Sequence, residues 1–342
     1  MSKISFVLKR LTDMNYKNMM KKAGESAKKS KKPTFVVFFD MIYCGFRYQA
    51  GYMDYDLFEM YAKNRRQRKS ILTRGKNNAY VAALNDKKLS QILEIKPEFH
   101  KVYAEFSKRD WLDIEKADFA AFEAFLARHD IFIVKPPDGS HGDGVAKLRT
   151  AEIADRRELF DRLIKNGQTL CEELVLQHEG VSRIYAGAIN TIRTVTMINE
   201  TGVNIVTALL RIGNSGNSVD NFNNGGMVVP VDAETGEILF DAVDKNGKVY
   251  SHHPVSGCKI RGSIIPMWDE CRALVKAAAL VLPEVRYIGW DVAVTPDGPL
   301  LIEGNSYPGH DIYGLSPHAP DGIGILPLFE AVIPMSALKR RG

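Results

Sequence analysis

The stretch GWDVAVTPDGPLLIEGN (Gly289–Asn305) holds two carboxylates and a carboxamide, Asp291, Glu303 and Asn305, on what reads as a β-hairpin. With the turn near Pro296–Gly298, Asp291 and Glu303 fall near one another across the strands. Glu303 and Asn305 share a face because strand side chains alternate with period two, and Gly304 between them leaves the opposite face clear. Oxygen donors of this kind suit Mg2+, which keeps waters and nucleotide phosphates as its remaining ligands. The plain alternative is a solvated strand end. Val292, Val294, Leu301 and Ile302 weigh against it, since they pin the strands into a core.

A second cluster is KPPDGSHGDGVAKL (Lys135–Leu148), where Gly139, Gly142 and Gly144 follow a lysine. A phosphate-binding P-loop needs its lysine after the glycines, at a helix start. A dinucleotide fingerprint needs a following helix and a later acidic residue. Neither pattern is met, which leaves a hairpin with a small-residue tip, where backbone N–H groups can approach phosphate oxygens and Lys135 adds a charge. Alone, the stretch supports a phosphate cradle or a mobile surface hairpin equally. The carboxylate cluster downstream supplies a reason for phosphates to be there.

Arg193 could pair with a structural carboxylate. The pair His252–His253 has no HExxH pattern or spaced cysteines beside it, so an ordered loop at a pocket rim is favoured over zinc. VDNFNNGG (Val219–Gly226) is rich in amides and glycine, as a binding loop or a plain turn would be. No GxSxG or persuasive catalytic cysteine is present.

These residues must be held by elements that periodicity outlines. Up to Leu84 the chain reads as mainly helical, with Tyr55–Arg65 apolar at three- and four-residue intervals. Asn85 or Asp86 suits the N-cap of a helix over Asn85–Ile95. His100–Phe106 and Asp130–Pro136 read as strands, with a helix over Ile114–His129 between them. Gly144 onward returns as a strand, Ile153–Gly167 as an amphipathic helix closed by glycine, and Thr169–His178 as another strand. Strands then dominate from Asn190 (NTIRTVTMI, VNIVTALLRIG, GMVVPVD, EILFDAV, KVYSHH), followed by a helix over Pro266–Leu282 and the carboxylate hairpin. No internal repeat is evident.

The 342 residues are 45% hydrophobic and 25% charged, as in ordinary globular chains. The longest apolar run, Phe35–Phe46, is far below the ~20 residues that cross a bilayer, and Met1–Leu11 lacks the apolar stretch of a signal peptide. The four cysteines have no paired spacing, so a reduced, cytoplasmic protein is expected. Charge is uneven. Met1–Leu84 holds 18 Lys and Arg against 6 Asp and Glu, and the rest 28 against 35. The basic region suits contact with anionic lipid, an acidic glycan or nucleic acid, and a solvated helix face with a basic linker is the commoner origin of such a run. Without aromatic-interleaved RNA motifs, nucleic acid is not expected.

In chain order, NDK, VKP with its glycine-rich loop, EELV, an arginine-bearing strand and D…EGN resemble the ATP-grasp superfamily. FFDMIYCGFRY, NTIRTVTM, LRIGNSGNSVDNFNNGGMVVPVD, HHPVSG and GWDVAVTPDGPLLIEGNSYPG resemble its sugar-transfer-associated branch, often found in polysaccharide biosynthesis clusters. The resemblance covers roughly residues 35–330. It implies an α+β ATP-grasp fold in which two α+β subdomains, 85–170 with the lid and 171–335 with hinge, metal site and acceptor pocket, grip ATP after a mainly helical basic region, 1–84. Lys87 and Lys135 would contact nucleotide phosphates, under a lid of Gly139, Ser140, Gly142 and Gly144. Glu172 or Glu173 would meet the adenine amino group, Leu174 and Val175 would supply hinge backbone bonds, and Glu179 would accept from ribose. Asp291, Glu303 and Asn305 would hold two Mg2+ ions, with Mn2+ as an alternative, and Arg193 and Arg211 would neutralise the transferring phosphoryl group. Asp220, Asn221, Asn224, Gly225 and His253 would line the acceptor pocket. Many ATP-grasp enzymes carry an arginine two positions before the metal-binding aspartate, where this chain has Gly289.

The activity so implied is ATP-dependent ligation of a carboxylate to an amine through an acyl phosphate, with a surface-glycan precursor as carboxylate. A peptide or natural-product amide ligase is the nearest alternative. A nucleotide-binding scaffold without catalysis in a glycosyltransferase complex is another, its basic N-terminal region meeting the partner or the inner face of the membrane.

Overall fold

The computed structural model describes residues 15–139, 144–214, 222 and 225–338. The chain divides into two compact units. One comprises Met1–Tyr80 with Gly309–Ala331, the other Val81–Pro308 with Val332–Gly342.

The first unit is helical. Helix α1 (Tyr16–Ser30) begins where Asn15 Oδ1 accepts the Asn18 N–H, and it ends at Lys31 in a left-handed conformation. Pro33 opens α2 (Thr34–Tyr48), whose inner side buries Val37, Met41, Cys44 and Tyr48. Asp40 faces a fork of two 2.7 Å bonds from Arg68 and a third from the Tyr55 hydroxyl. Asp54, 3% exposed, accepts the backbone N–H groups of Gly51 and Arg74 and pairs with His310 Nε2 at 2.7 Å. These contacts join the C-terminal segment to the N-terminal helices.

The second unit begins with the short helices α3 (Ser90–Glu94), α4 (Lys96–Val102) and α5 (Ala104–Ser107). Here the expected strand over His100–Phe106 is replaced by helix. Pro97 sits in the first turn, where its missing N–H costs nothing. Phe99, Tyr103 and Phe106 recur at i, i+4 and i+7, with the first two rings stacked 4.9 Å apart. The alternation read as a strand is one side of a helical stripe.

Strands β1 (Trp111–Asp113), β2 (Ile131–Lys135), β3 (Ala146–Arg149) and β4 (Leu170–Glu173) form an antiparallel sheet ordered β1-β4-β2-β3. Helices α6 (Phe119–Arg128) and α7 (Arg156–Lys165) cover one face, burying Phe122, Phe125, Leu126, Leu159 and Leu163 against Phe132, Val134 and Cys171. Period two therefore turns Ile133, Lys135 and Glu172 to the other face. β4 stops at Glu173, short of the strand expected through His178.

The larger sheet is antiparallel, built from β5 (Ile192–Asn199), β6 (Gly202–Ile212), β7 (Met227–Val231), β8 (Ala242–Asp244), β9 (Val249–Tyr250), β10 (Tyr287–Thr295) and β11 (Gly298–Asn305), in the order β11-β10-β5-β6-β7-β8-β9. Its core face packs Ile192, Leu210, Val229, Trp290, Val292 and Val294 against Cys271, Val275 and Ala278 of helix α8 (Trp268–Ala279). The expected strand over EILFDAV shrinks to Ala242–Asp244, with Ile238 bridging Val231 alone. The fold is α+β, as expected. Among the described residues no helix is long and apolar enough to cross a membrane.

Candidate functional site

The β10–β11 hairpin sets Asp291 opposite Glu303, Trp290 opposite Gly304 and Gly289 opposite Asn305. A bulge follows at once, because Val292 pairs with Leu301 and Ile302 is the extra residue. Without it, period two would put Leu301 and Glu303 on one face. The bulge reverses the phase, so Leu301 joins the core while Glu303 shares the outer face with Asp291 and Asn305. Gly304 is required by close approach, since a Cβ there would lie 2.9 Å from Leu93 Cδ2 and 3.0 Å from Trp290 Cζ3.

Asp291 is fully buried and pairs across the sheet with Arg193 of β5. Arg193 Nε donates to Oδ1 at 2.5 Å and Nη2 to Oδ2 at 3.0 Å. Arg211 Nη2 donates to Oδ2 at 2.8 Å while its Nε holds Thr191 Oγ1 at 3.0 Å. Burial alone would raise the Asp291 carboxyl, but the two guanidinium charges outweigh it and hold it below the usual range. Glu303 moves the opposite way, raised by burial and then by the facing Asp291 carboxylate. Asn305 Nδ2 donates to the Gly289 carbonyl at 3.3 Å and lies 3.4 Å from Glu303 Oε1. Gly289 has its own explanation. A Cβ there would lie 3.2 Å from Arg193 Cδ and 3.1 Å from Pro308 Cβ, so the neighbouring strand's arginine fills the space beside it.

The smaller sheet supplies the facing group. Glu172, 2% exposed, accepts from Lys135 Nζ at 2.7 Å and Arg109 Nη1 at 2.8 Å on Oε2, and meets His100 Nε2 at 2.6 Å on Oε1. Burial would raise its pKa, yet Arg109 and Lys135, helped by His100, keep it well below the usual range. Burial lowers the His100 pKa despite Glu172, so the neutral ring donates its Nε2–H. The ring stacks on Trp111 at 5.2 Å, and its Nδ1 has no partner among the described residues. Arg109 also reaches the bulge, donating through Nη2 to the Ile302 carbonyl at 3.0 Å. One guanidinium thus ties the buried carboxylate of the smaller sheet to the irregular strand of the larger.

Lys96, at the start of α4, donates from Nζ to the Gly139 carbonyl at 3.0 Å and from its backbone N to the Pro137 carbonyl at 3.0 Å. Burial, then the nearby Lys135 charge, lowers its pKa. Gly139 and Gly144 have φ of 96° and 73°, the left-handed region that favours glycine. A cleft of about 350 Å3 lies among these groups, with Lys96, His100, Gly139, Glu172, Glu303 and Asn305 in its walls. The start of the glycine-rich loop and the carboxylate hairpin, far apart in sequence, border one space.

Other expected residues lie elsewhere. Lys87 is exposed in the turn that Asp86 stabilises by accepting the Lys88 and Leu89 N–H groups, and it does not line the cleft. Glu173 Oε2 accepts the Asp110 backbone N–H. Leu174 and Val175 follow β4 half-buried, and their backbone groups make no hydrogen bond among the described residues. Glu179 is exposed at the start of the short helix Glu179–Ser182. His253 is 1% exposed, with Nε2 on the Gly213 carbonyl at 2.9 Å and Nδ1 accepting the Val255 and Ser256 N–H groups. Both ring nitrogens therefore hold the loop itself. Gly225 donates its N–H to the Phe222 carbonyl. Ser140, Gly142, Asp220, Asn221 and Asn224 lie outside the described residues. Among the described residues no cluster of three or more His, Cys, Asp or Glu could hold a metal; the Asp291–Glu303 pair has an amide as its third member.

Sequence reasoning missed Lys96, His100 and Arg109. One signal is present: Lys96–Pro97 duplicates the Lys135–Pro136 dipeptide. His100 was hidden inside the misread strand.

The family described as sugar-transfer associated ATP-grasp matches residues 67–320. No curated protein matches the sequence. Solved structures similar to it include the ATP-grasp ligase PsnB complexed with a phosphomimetic variant of minimal precursor, Mg and ADP, at 16% identity and TM-score 0.42, over 74% of this chain and 62% of that one. Another is the D-alanine–D-alanine ligase from Bacillus anthracis, at 17% identity and TM-score 0.41, over 72% and 69%. A third is the D-cycloserine synthetase DcsG, at 16% and 0.39, over 75% and 71%. The chain thus spans less than two thirds of the length of PsnB.

Proposed function

The chain belongs to the sugar-transfer-associated ATP-grasp family, and from that premise we propose that it is an ATP-dependent ligase joining a carboxylate to an amine through an acyl phosphate. The observation that carries this reading is the shared cleft, where Lys96 and Gly139 meet Glu303 and Asn305. The Lys96 ammonium suits phosphate on one wall, and carboxylate and amide oxygens suit a hard cation on the other.

The residues fit Mg2+ by their chemistry. Asp291 and Glu303 face each other as adjacent carboxyls, an arrangement that one proton holds together and a divalent cation would hold better. Asn305 Oδ1 takes no bond from the described residues. Glu303 and Asn305, backed by Asp291, would hold one or two ions; bound there, Mg2+ or Mn2+ supplies charge neutralisation and Lewis acidity at the phosphates.

In this reading the protein contributes position and charge, with no covalent nucleophile. The substrate carboxylate attacks the γ-phosphorus of ATP and ADP leaves; the amine then attacks the acyl carbon and phosphate leaves. Lys96 and Lys135 bind the phosphates, and Glu172 orients Lys135. Arg193 and Arg211 fix Asp291 and extend positive charge toward the transferring group. The unbonded backbone of Leu174 and Val175 is available to a purine edge, as a hinge requires. The loop from Gly139 to Gly144 closes over the phosphates and keeps water from the acyl phosphate.

The family's association with sugar transfer favours a glycan-precursor carboxylate, and its four free cysteines suit a reduced cytoplasmic setting. The test is ADP and phosphate release with Mg2+–ATP and pools of uronic acids, amino acids and amines, with hydroxylamine added to trap an acyl phosphate. Hydroxamate formation dependent on one carboxylate is expected. Tight ATP binding without turnover on any pair would favour a nucleotide-binding scaffold instead.

A further inference from the structure

Helix α2 is apolar on both sides. Its inner side buries Val37, Met41, Cys44 and Tyr48. Its outer side leaves Phe35 65%, Phe39 64%, Tyr43 45% and Phe46 45% exposed. At about 100° per residue these four fall within one arc of roughly 80°, opposite the buried side. Scattered exposed hydrophobic residues are ordinary, but four aromatic rings in one stripe over three turns are not.

Charge at the two ends of the stripe says what covers it: Lys31 stands just before α2 and Arg47 in its last turn. Lys17, Lys21 and Lys28 point away from the buried side of the adjoining helix α1, and Lys31 caps it. All four are exposed, and none forms a salt bridge among the described residues. Arg47 lies exposed at the far end of the stripe. The acids of these two helices are already engaged, Glu25 by Lys22 and Asp40 by Arg68. A second copy of the chain would set this basic surface against its own like charge. A surface that takes aromatic rings and offers dense negative charge is an anionic phospholipid bilayer.

We propose that α2 docks in the plane of an anionic membrane surface, its Phe35–Phe46 aromatic stripe seated at the headgroup–acyl boundary and Lys31 and Arg47 at its ends against lipid phosphates. Among the described residues no helix is long and apolar enough to cross, and attachment is reversible. The inference does not rest on the ligase reading, because none of these residues borders the cleft.

The test is co-sedimentation of the full chain with vesicles of phosphatidylcholine plus phosphatidylglycerol, against phosphatidylcholine alone. Binding to the anionic vesicles only, weakened by salt, is expected. The double variant Phe35→Ser, Phe39→Ser should bind on the order of 10- to 100-fold more weakly, with unchanged circular dichroism since both rings are exposed. Phe39→Trp should show blue-shifted emission, relative to wild type, when anionic vesicles are added. Absence of wild-type binding to either vesicle overturns the proposal, as does undiminished binding by the double variant. Concentration-dependent self-association that the double variant abolishes, without vesicle binding, would make the stripe an interface between copies and equally overturn it.

Discussion

Lys96 and Lys87, on neighbouring segments, stand in different settings. Lys96 borders the cleft beside Gly139, whereas Lys87 lies exposed in a turn. Lys96→Ala should therefore raise the KM for ATP about 10-fold or more, and Lys87→Ala should leave it within about twofold; steady-state ADP release separates them. Glu172 carries a different load. Glu172→Gln would leave Arg109 and Lys135 beside a neutral amide in a buried site, a loss of about 3–5 kcal/mol that urea unfolding would measure. At this scale the legible residues were those whose neighbours in sequence are also their neighbours in space. Asp291 and Glu303 meet through one hairpin turn. Lys96 and His100 reach the cleft only because α4 packs across it, and that packing leaves no local mark beyond a Lys-Pro dipeptide.

At the scale of elements, the β11 bulge decides which side chains face the cleft. It places Leu301 in the core and Glu303 outside, and Arg109 holds the carbonyl of the extra residue, Ile302. Gly304→Ala would drive a methyl into Leu93 and Trp290, at a cost of about 1–3 kcal/mol, read as a lower melting temperature. Gly289→Arg, which would restore the arginine common at this position, should lower turnover, because the new side chain competes with Arg193 for the same space. The long strands β5, β6 and β10 were legible. The bulge was not, since nothing in PLLIEGN distinguishes a bulged strand from a regular one. His100–Phe106 failed for a related reason: over seven residues a helical stripe and an alternating strand give similar patterns.

At the scale of the molecule, buried ion pairs set the response to acid. His100 has a depressed pKa, so as pH falls below its ordinary 6.5 the unfolded chain takes a proton that the folded chain refuses, and stability drops. Glu172 and Asp291 have depressed carboxyl pKa values. Their contribution is complete above the ordinary values of 4.5 and 3.8 and is lost as pH falls below them. Glu303, raised, works in the reverse sense above 4.5 and loses stability as pH climbs through its folded value. Below 4.5 its effect is complete, so the loss there comes from Glu172 and Asp291. The melting temperature should begin to fall near pH 6.5 and drop more steeply below about 4.5, measured by calorimetry across pH; a flat profile from 7 to 4 would contradict the buried-pair assignment. The α+β class and the helical N-terminal region were legible from periodicity and charge. The union of Gly309–Ala331 with the N-terminal helices was not, because it rests on contacts such as Asp54–His310 that no local pattern encodes.

Calorimetric titration of the full chain with Mg2+–ATP tests most directly whether the cleft is a nucleotide site. Saturable binding at one site per chain is expected, weakened at least ~10-fold in both Lys96→Ala and Glu303→Gln. A folded wild-type protein that takes up no nucleotide, or a Glu303→Gln variant that binds as tightly as wild type, would contradict it.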